Sequence, residues 1–312
     1  MRLAAGLIGV LLLVAAVAPA TAATHALIVS GLGGDADYEH RFAEWNTKLS
    51  DAAREFTGDA ARVTSLAGAQ ATAAELDKAV AQLARTVKRE DTLLVVLMGH
   101  GSYSGEEYRY NLAGPDLTGA QLKALLDRLP AEKQLVVNAT SASGAIADAW
   151  KRPGRVVITA TKTGGERNAT RFAQYFIEAL TSDRADRDKD QTVTAAEAFA
   201  FANQAVADSF KADAAIATEH ARLEGADAQR LVVARFGRGA RHADDPQLLA
   251  LQERQSSLEL ELNAVKARKS TLPEEAYFAA LEPVLVRMAR LGAEVETRER
   301  QLGIEPSAEA NP

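Results

Sequence analysis

Cysteine is absent from this chain of 312 residues. Its absence excludes disulfide bonds, thiolate metal sites and a cysteine nucleophile together. Excess positive charge is also lacking: 36 Lys and Arg stand against 42 Asp and Glu, a formal net charge of -6. Binding nucleic-acid phosphates takes a concentrated basic face, so nucleic acid is not an expected partner. The one small basic cluster, Arg235, Arg238 and Arg241, falls in or beside an apparent linker over 237–244. Long apolar runs are missing too, apart from one at the start. There Arg2 precedes an apolar stretch from Leu3 to Val17, followed by Pro19 and the small residues Ala20, Thr21 and Ala22. Residues 1–23 therefore read as a secretory signal segment, the alternative being an uncleaved membrane anchor, for which the run is short. The expectation is an exported protein, periplasmic or secreted, with no membrane span after signal cleavage.

What is present suffices for a fold without disulfides. With 47% hydrophobic and 25% charged residues, the chain can bury one large core and still carry an appendage. The stretch Asp91 to Gly144 organises it. DTLLVVLMGHGSY is an apolar, β-rich run that ends in a small-residue turn carrying His100, and EKQLVVNATSASGA repeats the design with Ser141 at its tip. Between them NLAGPDLTGAQLKALLDRLP supplies a turn and an amphipathic helix closed by Pro130, the crossover that a parallel pair requires. Upstream, HALIVSGLGGD is a first strand, Tyr38 to Phe56 an amphipathic segment, ARVTSLAG a short strand and Ala73 to Lys88 a helix. Downstream, VVITATKTGGERN is another strand, and Thr170 to Leu180 a helix that turns Phe172, Tyr175, Phe176 and Leu180 inward. Strands alternating with helices predict an α/β domain over 24–236, a mostly parallel sheet flanked by helices. The GLGG turn at 31–34 lacks the GxGxxG spacing and has no acidic ribose partner, which argues against a dinucleotide.

Residues 186–197, DRDKDQTVTAAE, place Asp186, Asp188, Asp190, Thr192 and Glu197 at loop positions one, three, five, seven and twelve of an EF-hand. Gln191 stands where that loop has Gly. A Ca²⁺ site is one expectation; the other is a solvated acidic turn in which Thr194 caps a helix and Glu197 closes a capping box. From 245 to 303 the pattern changes. Leu248, Leu251, Leu258, Leu262 and Val265, then Tyr277, Leu281, Val284, Met288, Leu291 and Val295, keep three-four spacing around the turn KSTLPEE. This predicts an antiparallel helical hairpin with a coiled-coil-like seam, kinked at Pro283, and a polar tail over 304–312.

His100 and Ser141 arrive together at the carboxyl edge of the sheet, where open α/β sheets bind ligands, and together they invite a nucleophile-and-base reading. Read singly, they are a strand-end histidine satisfied by backbone and a turn or cap serine. The GHG of 99–101 and the TSASG of 140–144, with NLAGPDL, VVITATKTGGERN, the acidic loop and ATEHA in order, resemble the caspase-like fold of the legumain-type cysteine peptidases, as found in bacterial secreted relatives of that group. The resemblance covers about 26–220. It implies a catalytic histidine at His100 and a nucleophile at Ser141, where the family has cysteine, with the N–H groups of Gly101 and Ser141 facing the oxyanion. It also implies a substrate or partner pocket around Glu39, His40 and Glu166. In YEHRF, Glu39 replaces the arginine of legumain, so asparagine-directed specificity does not carry over.

A serine hydroxyl needs a tightly bonded base and a group orienting that base, and Asp91, Asp116 and Glu166 are the acids that could serve. The expected function is a non-catalytic binding or scaffolding module with a protein or peptide partner. The alternatives are a hydrolase that uses Ser141 with His100, and a calcium-regulated interaction module.

Overall fold

The computed structural model describes residues 22–236 and 245–303, so most of the signal segment, the 237–244 linker with Arg238 and Arg241, and the 304–312 tail lie outside the described residues. Strand β1 (Thr24–Ser30) leads into helix α1 (Ala36–Thr57), followed by β2 (Val63–Leu66), α2 (Ala73–Thr86) and β3 (Thr92–Met98). After β3 come three short strands, β4 (Gly101–Tyr103), β5 (Tyr108–Tyr110) and β6 (Leu117–Thr118), then α3 (Gly119–Asp127) and β7 (Lys133–Asn138). The domain closes with α4 (Ala147–Trp150), β8 (Arg155–Thr159), α5 (Phe172–Thr181), β9 (Thr192–Thr194), α6 (Ala195–Ala212), β10 (Arg222–Glu224) and β11 (Val232–Arg235).

The main sheet has six strands in the order β10-β8-β7-β3-β1-β2. Five run parallel and β10 pairs antiparallel with β8 at one edge. Alternate residues of each strand feed opposite faces, as strand geometry requires. Ile28, Val96, Val137 and Ile158 meet Trp45 and Leu49 of α1 and Phe172 and Phe176 of α5. Leu27, Val95, Val136 and Val157 meet Leu76 and Val80 of α2 and Leu122 and Leu126 of α3. Both faces are covered, which is why the strands are apolar throughout and not alternating.

The expected crossover between β3 and β7 is present, but it also contains a second small sheet, β4-β5-β6, which was not among the expected elements. Its Tyr110 hydroxyl sits 2.8 Å from the Met98 carbonyl and 3.0 Å from that of Val29. The ends of β3 and β1 are thereby held at one height.

Helices α7 (Pro246–Ala267) and α8 (Glu274–Gln301) run antiparallel, fixed by the ion pairs Arg298–Asp245, Arg254–Glu294 and Arg287–Glu261. Leu262 and Val265 pack on Tyr277 and Val284, so the seam closes within the pair. Pro283 lies inside α8 without ending it. The pair meets the α/β domain where Arg235 Nη1 donates to Gln252 Oε1 at 2.6 Å and where Glu259 lies against Asp188. No helix among the described residues is long and apolar enough to cross a membrane.

Candidate functional site

The turns after β3 and β7 meet at the carboxyl edge of the sheet, as the repeated design implied. A Cβ on Gly101 would stand 2.5 Å from the Ser141 carbonyl oxygen and 2.7 Å from Thr140 Oγ1. Only glycine allows the two loops to approach so closely. Behind them is a buried polar network. Tyr108 and Thr140 share a 2.6 Å hydrogen bond, Thr140 Oγ1 lies 2.8 Å from Asn138 Oδ1, and Asn138 Nδ2 donates to the Tyr108 hydroxyl at 3.0 Å. Burial raises the Tyr108 phenol to about 12, so it stays a neutral donor and acceptor. On the far side Gly144 N donates to Thr161 Oγ1 at 2.8 Å and Ala142 N to the Glu166 carbonyl at 2.8 Å. Ala142, directly after Ser141, takes a left-handed conformation at φ 56, the kind of strain that clusters at functional turns.

Ser141 is 2% exposed, and its hydroxyl makes no hydrogen bond among the described residues. His100 bonds a different partner. Its Nε2 donates to the Gly33 carbonyl at 3.1 Å, and its ring meets Tyr38 edge-on at 4.6 Å and Phe42 at 5.2 Å between centroids. The Gly33 carbonyl therefore sets the tautomer and leaves Nδ1 as the acceptor. A neutral carbonyl can orient a base for a thiol that ionises by itself, but it supports an imidazolium less than a carboxylate does.

None of the three acids considered for that orienting role serves His100. Asp91 sits at the other end of β3, beside His25. Asp116 accepts the Leu112 N–H at 3.1 Å. Glu166 bonds His220 Nδ1 at 2.6 Å and the Lys162 N–H at 2.7 Å. Glu39 accepts the Gly33 N–H at 2.8 Å, which places it beside the His100 loop, while Glu166 lies beside the Ser141 loop. His40 is exposed on α1, its charge felt by Glu44 on the same helix. The aromatic clamp of Tyr38 and Phe42 was not singled out, although YEHRF sets the two rings at i, i+4. His220 and Glu219 were not singled out by sequence, although ATEHA contains both. Glu219 caps the start of α5 through the Arg171 and Phe172 N–H groups, and burial lifts its carboxyl to about 7.

The acidic turn forms a compact unit. One carboxylate oxygen from each of Asp186, Asp188 and Asp190 lies within 4.8 Å of the others. Gln191 adopts φ 65, the left-handed geometry that glycine holds at this loop position, and Lys189 adopts φ 63. Asp186 accepts the Asp190 and Gln191 N–H groups at 3.2 and 3.0 Å. Thr192 Oγ1 donates to Asp190 Oδ1 at 2.7 Å. Glu197 completes the capping box with Thr194 and accepts the Arg187 N–H at 3.1 Å. Burial, then the charge of Asp188, raises Asp190 to about 6. From α7, Glu259 enters the same field, its carboxyl raised by burial and by Asp188.

No protein-family model matches the chain. No curated protein matches it either. Among solved structures it is similar to the protein GSU0716 of Geobacter sulfurreducens, at 13% identity and a TM-score of 0.44, over 65% of this chain and 92% of that one.

Proposed function

We propose that the chain is an exported, caspase-like domain of the legumain type that works as a non-catalytic binding or scaffolding module for a protein or peptide. The observation that carries this reading is that the Ser141 hydroxyl has no base bonded to it among the described residues, while His100 is bonded to the Gly33 carbonyl, with no carboxylate behind it, and clamped by Tyr38 and Phe42. A serine nucleophile without a bonded base stays a weak one. Around the two residues lie a polar hydrogen-bond network, a hydroxyl with no partner among the described residues, and flanking carboxylates at Glu39 and Glu166, which suit recognition of a peptide. The strand order, with an antiparallel edge strand at β10, agrees with the caspase-like resemblance of the sequence. The test is exposure of the purified protein to a serine-directed phosphonate and to a mixed peptide pool. No adduct at Ser141 and no cleavage are expected, and either one abolished by Ser141→Ala overturns the reading in favour of a hydrolase.

A second role is favoured by the acidic turn. Three carboxylates within 4.8 Å repel one another without a cation, and Gln191 already holds the left-handed backbone of an EF-hand loop. Ca²⁺ held by Asp186, Asp188 and Asp190 would relieve that repulsion and draw Glu259 of α7 toward the domain. Because Glu197 is engaged in its capping box, affinity in the range of about 10⁻⁴–10⁻³ M, as in extracellular modules, is expected. Calorimetric titration with Ca²⁺ on wild type and Asp188→Ala measures it.

A further inference from the structure

At the opposite end of the sheet from the candidate site lies a buried carboxylate with no role in the reading above. Asp91 is 3% exposed. Its Oδ2 accepts the Lys88 N–H at 2.8 Å and stands 3.4 Å from His25 Nε2. Its Oδ1 accepts the backbone N–H of Ala23 at 2.8 Å. The Ala23 carbonyl accepts the Thr92 N–H at 2.8 Å, so the residue is pinned from both sides, whereas Ala22 is exposed. Ala20-Thr21-Ala22 puts small residues at the third and first positions before the Ala22–Ala23 bond, the pattern a signal endopeptidase cleaves.

We propose that the Ala22–Ala23 bond is the processing site and that the α-ammonium released on Ala23 docks as an ion pair on Asp91. The proposal rests on the exported reading. In the cleavage, water adds across the peptide bond: its oxygen goes to the Ala22 carbonyl carbon, and the Ala23 nitrogen leaves as an amine that takes up a proton near neutral pH. A neutral amide donor on Asp91 thus becomes a charged one, and charge-assisted hydrogen bonds are roughly twice as strong. A buried carboxylate calls for such a partner. His25 supplies little of that charge, because burial lowers its pKa against the pull of Asp91, and the nearby Arg62 lowers it further while Asp59 opposes. Two neighbouring small-residue frames fit less well. Cleavage after Ala18-Pro19-Ala20 leaves two residues ahead of Ala23 and carries the charge away from Asp91, and cleavage after Thr21-Ala22-Ala23 removes the residue that makes the bond.

The first measurement is the intact mass of the protein recovered from an exporting host, expected to start at Ala23. A start at Thr21 or Thr24 overturns the assigned bond, and a mass that retains Met1 overturns the exported reading together with the processing. The second does not depend on export: the chain 23–312 is released from a removable amino-terminal fusion with Ala23 free, or with Gly-Ser ahead of it, each with Asp91 or Asp91→Asn. Thermal midpoints are followed from pH 6 to 10. Pairing raises the folded pKa of the amine above its unfolded value of about 8, so its stabilisation is complete below about 8 and is lost as pH rises through the folded pKa. Free Ala23 is expected to melt at least ~2 °C above the extended form at pH 6. The difference should vanish toward pH 10 and be absent in Asp91→Asn. Equal midpoints at pH 6 for the free and extended forms overturn the ion pair.

Discussion

Glu166 holds His220, with 2.6 Å between its Oε1 and the ring Nδ1, and does not reach His100. The acid nearest the Ser141 loop is therefore committed to a histidine 54 residues further along the chain, and the ring that would serve as base is left with a peptide carbonyl. This division underlies the first prediction. In Ser141→Cys, alkylation by iodoacetamide should follow an ordinary thiol ionisation, with a midpoint near or above about 8.5. A midpoint near 6 would show that His100 reaches this position and would revive the enzyme reading.

Gly101→Ala should destabilise the fold, because the added methyl meets the Ser141 carbonyl oxygen at 2.5 Å and a backbone atom cannot swing away. A loss of about 1–3 kcal/mol is expected by overpacking. Urea melts of the variant read it; Gly105→Ala, where no atom lies within 4 Å of the new methyl, reports the cost of a positive φ alone.

Much of the fold was legible. The apolar runs before His100 and Ser141 are long enough to register as buried strands, each ended by small residues, and their adjacency follows from the parallel-crossover rule. The capping box at Thr194 and Glu197 was readable because its signature is local. The β4-β5-β6 sheet escaped because strands of two and three residues carry no period. The partners of His100 escaped for a different cause: Gly33 comes from the turn after β1 and the two rings from α1, 58 or more positions earlier, and no spacing rule spans that gap. Glu259 in the acidic field is a meeting of the two ends of the fold and leaves no mark in either segment.

For the acidic turn, Ca²⁺ at millimolar level should raise the thermal midpoint of the wild type, and Asp188→Ala should abolish the increase. Burial and Asp188 raise Glu259 to about 8, so above that pH, where it carries a like charge beside Asp188 and Asp190, Glu259→Gln should raise the midpoint in chelator, and near pH 7 the gain should shrink. Gln191→Gly should also stabilise the chelated protein, by about 1 kcal/mol, by relieving a left-handed side-chain residue. An unchanged midpoint with Ca²⁺ reduces the turn to a capped loop.

The pH response follows from Glu219. Burial raises its folded carboxyl to about 7, above an unfolded value near 4.3, so the folded state binds the extra proton. Its contribution is full below about 4.3 and is lost as pH climbs to about 7, after which it levels off. Asp190, raised to about 6, acts in the same direction over a lower window. Thermal melts from pH 4.5 to 7.5 should show this decline superimposed on the titration of other groups, and Glu219→Gln should flatten it. An identical slope in the variant would assign the decline elsewhere.

The Tyr108–Asn138–Thr140 network has a consequence for how this crevice can change. Its hydrogen bonds brace the loop from beneath, reaching the Ser141 carbonyl through Thr140 Oγ1 at 3.2 Å, and neither the His100 ring nor the Ser141 hydroxyl belongs to it. The half-buried ring of His100 and the buried hydroxyl of Ser141 are fittings on a mount whose bonds do not pass through them. Such an arrangement lets the side chain at either turn change by a single substitution while the frame beneath it keeps folding.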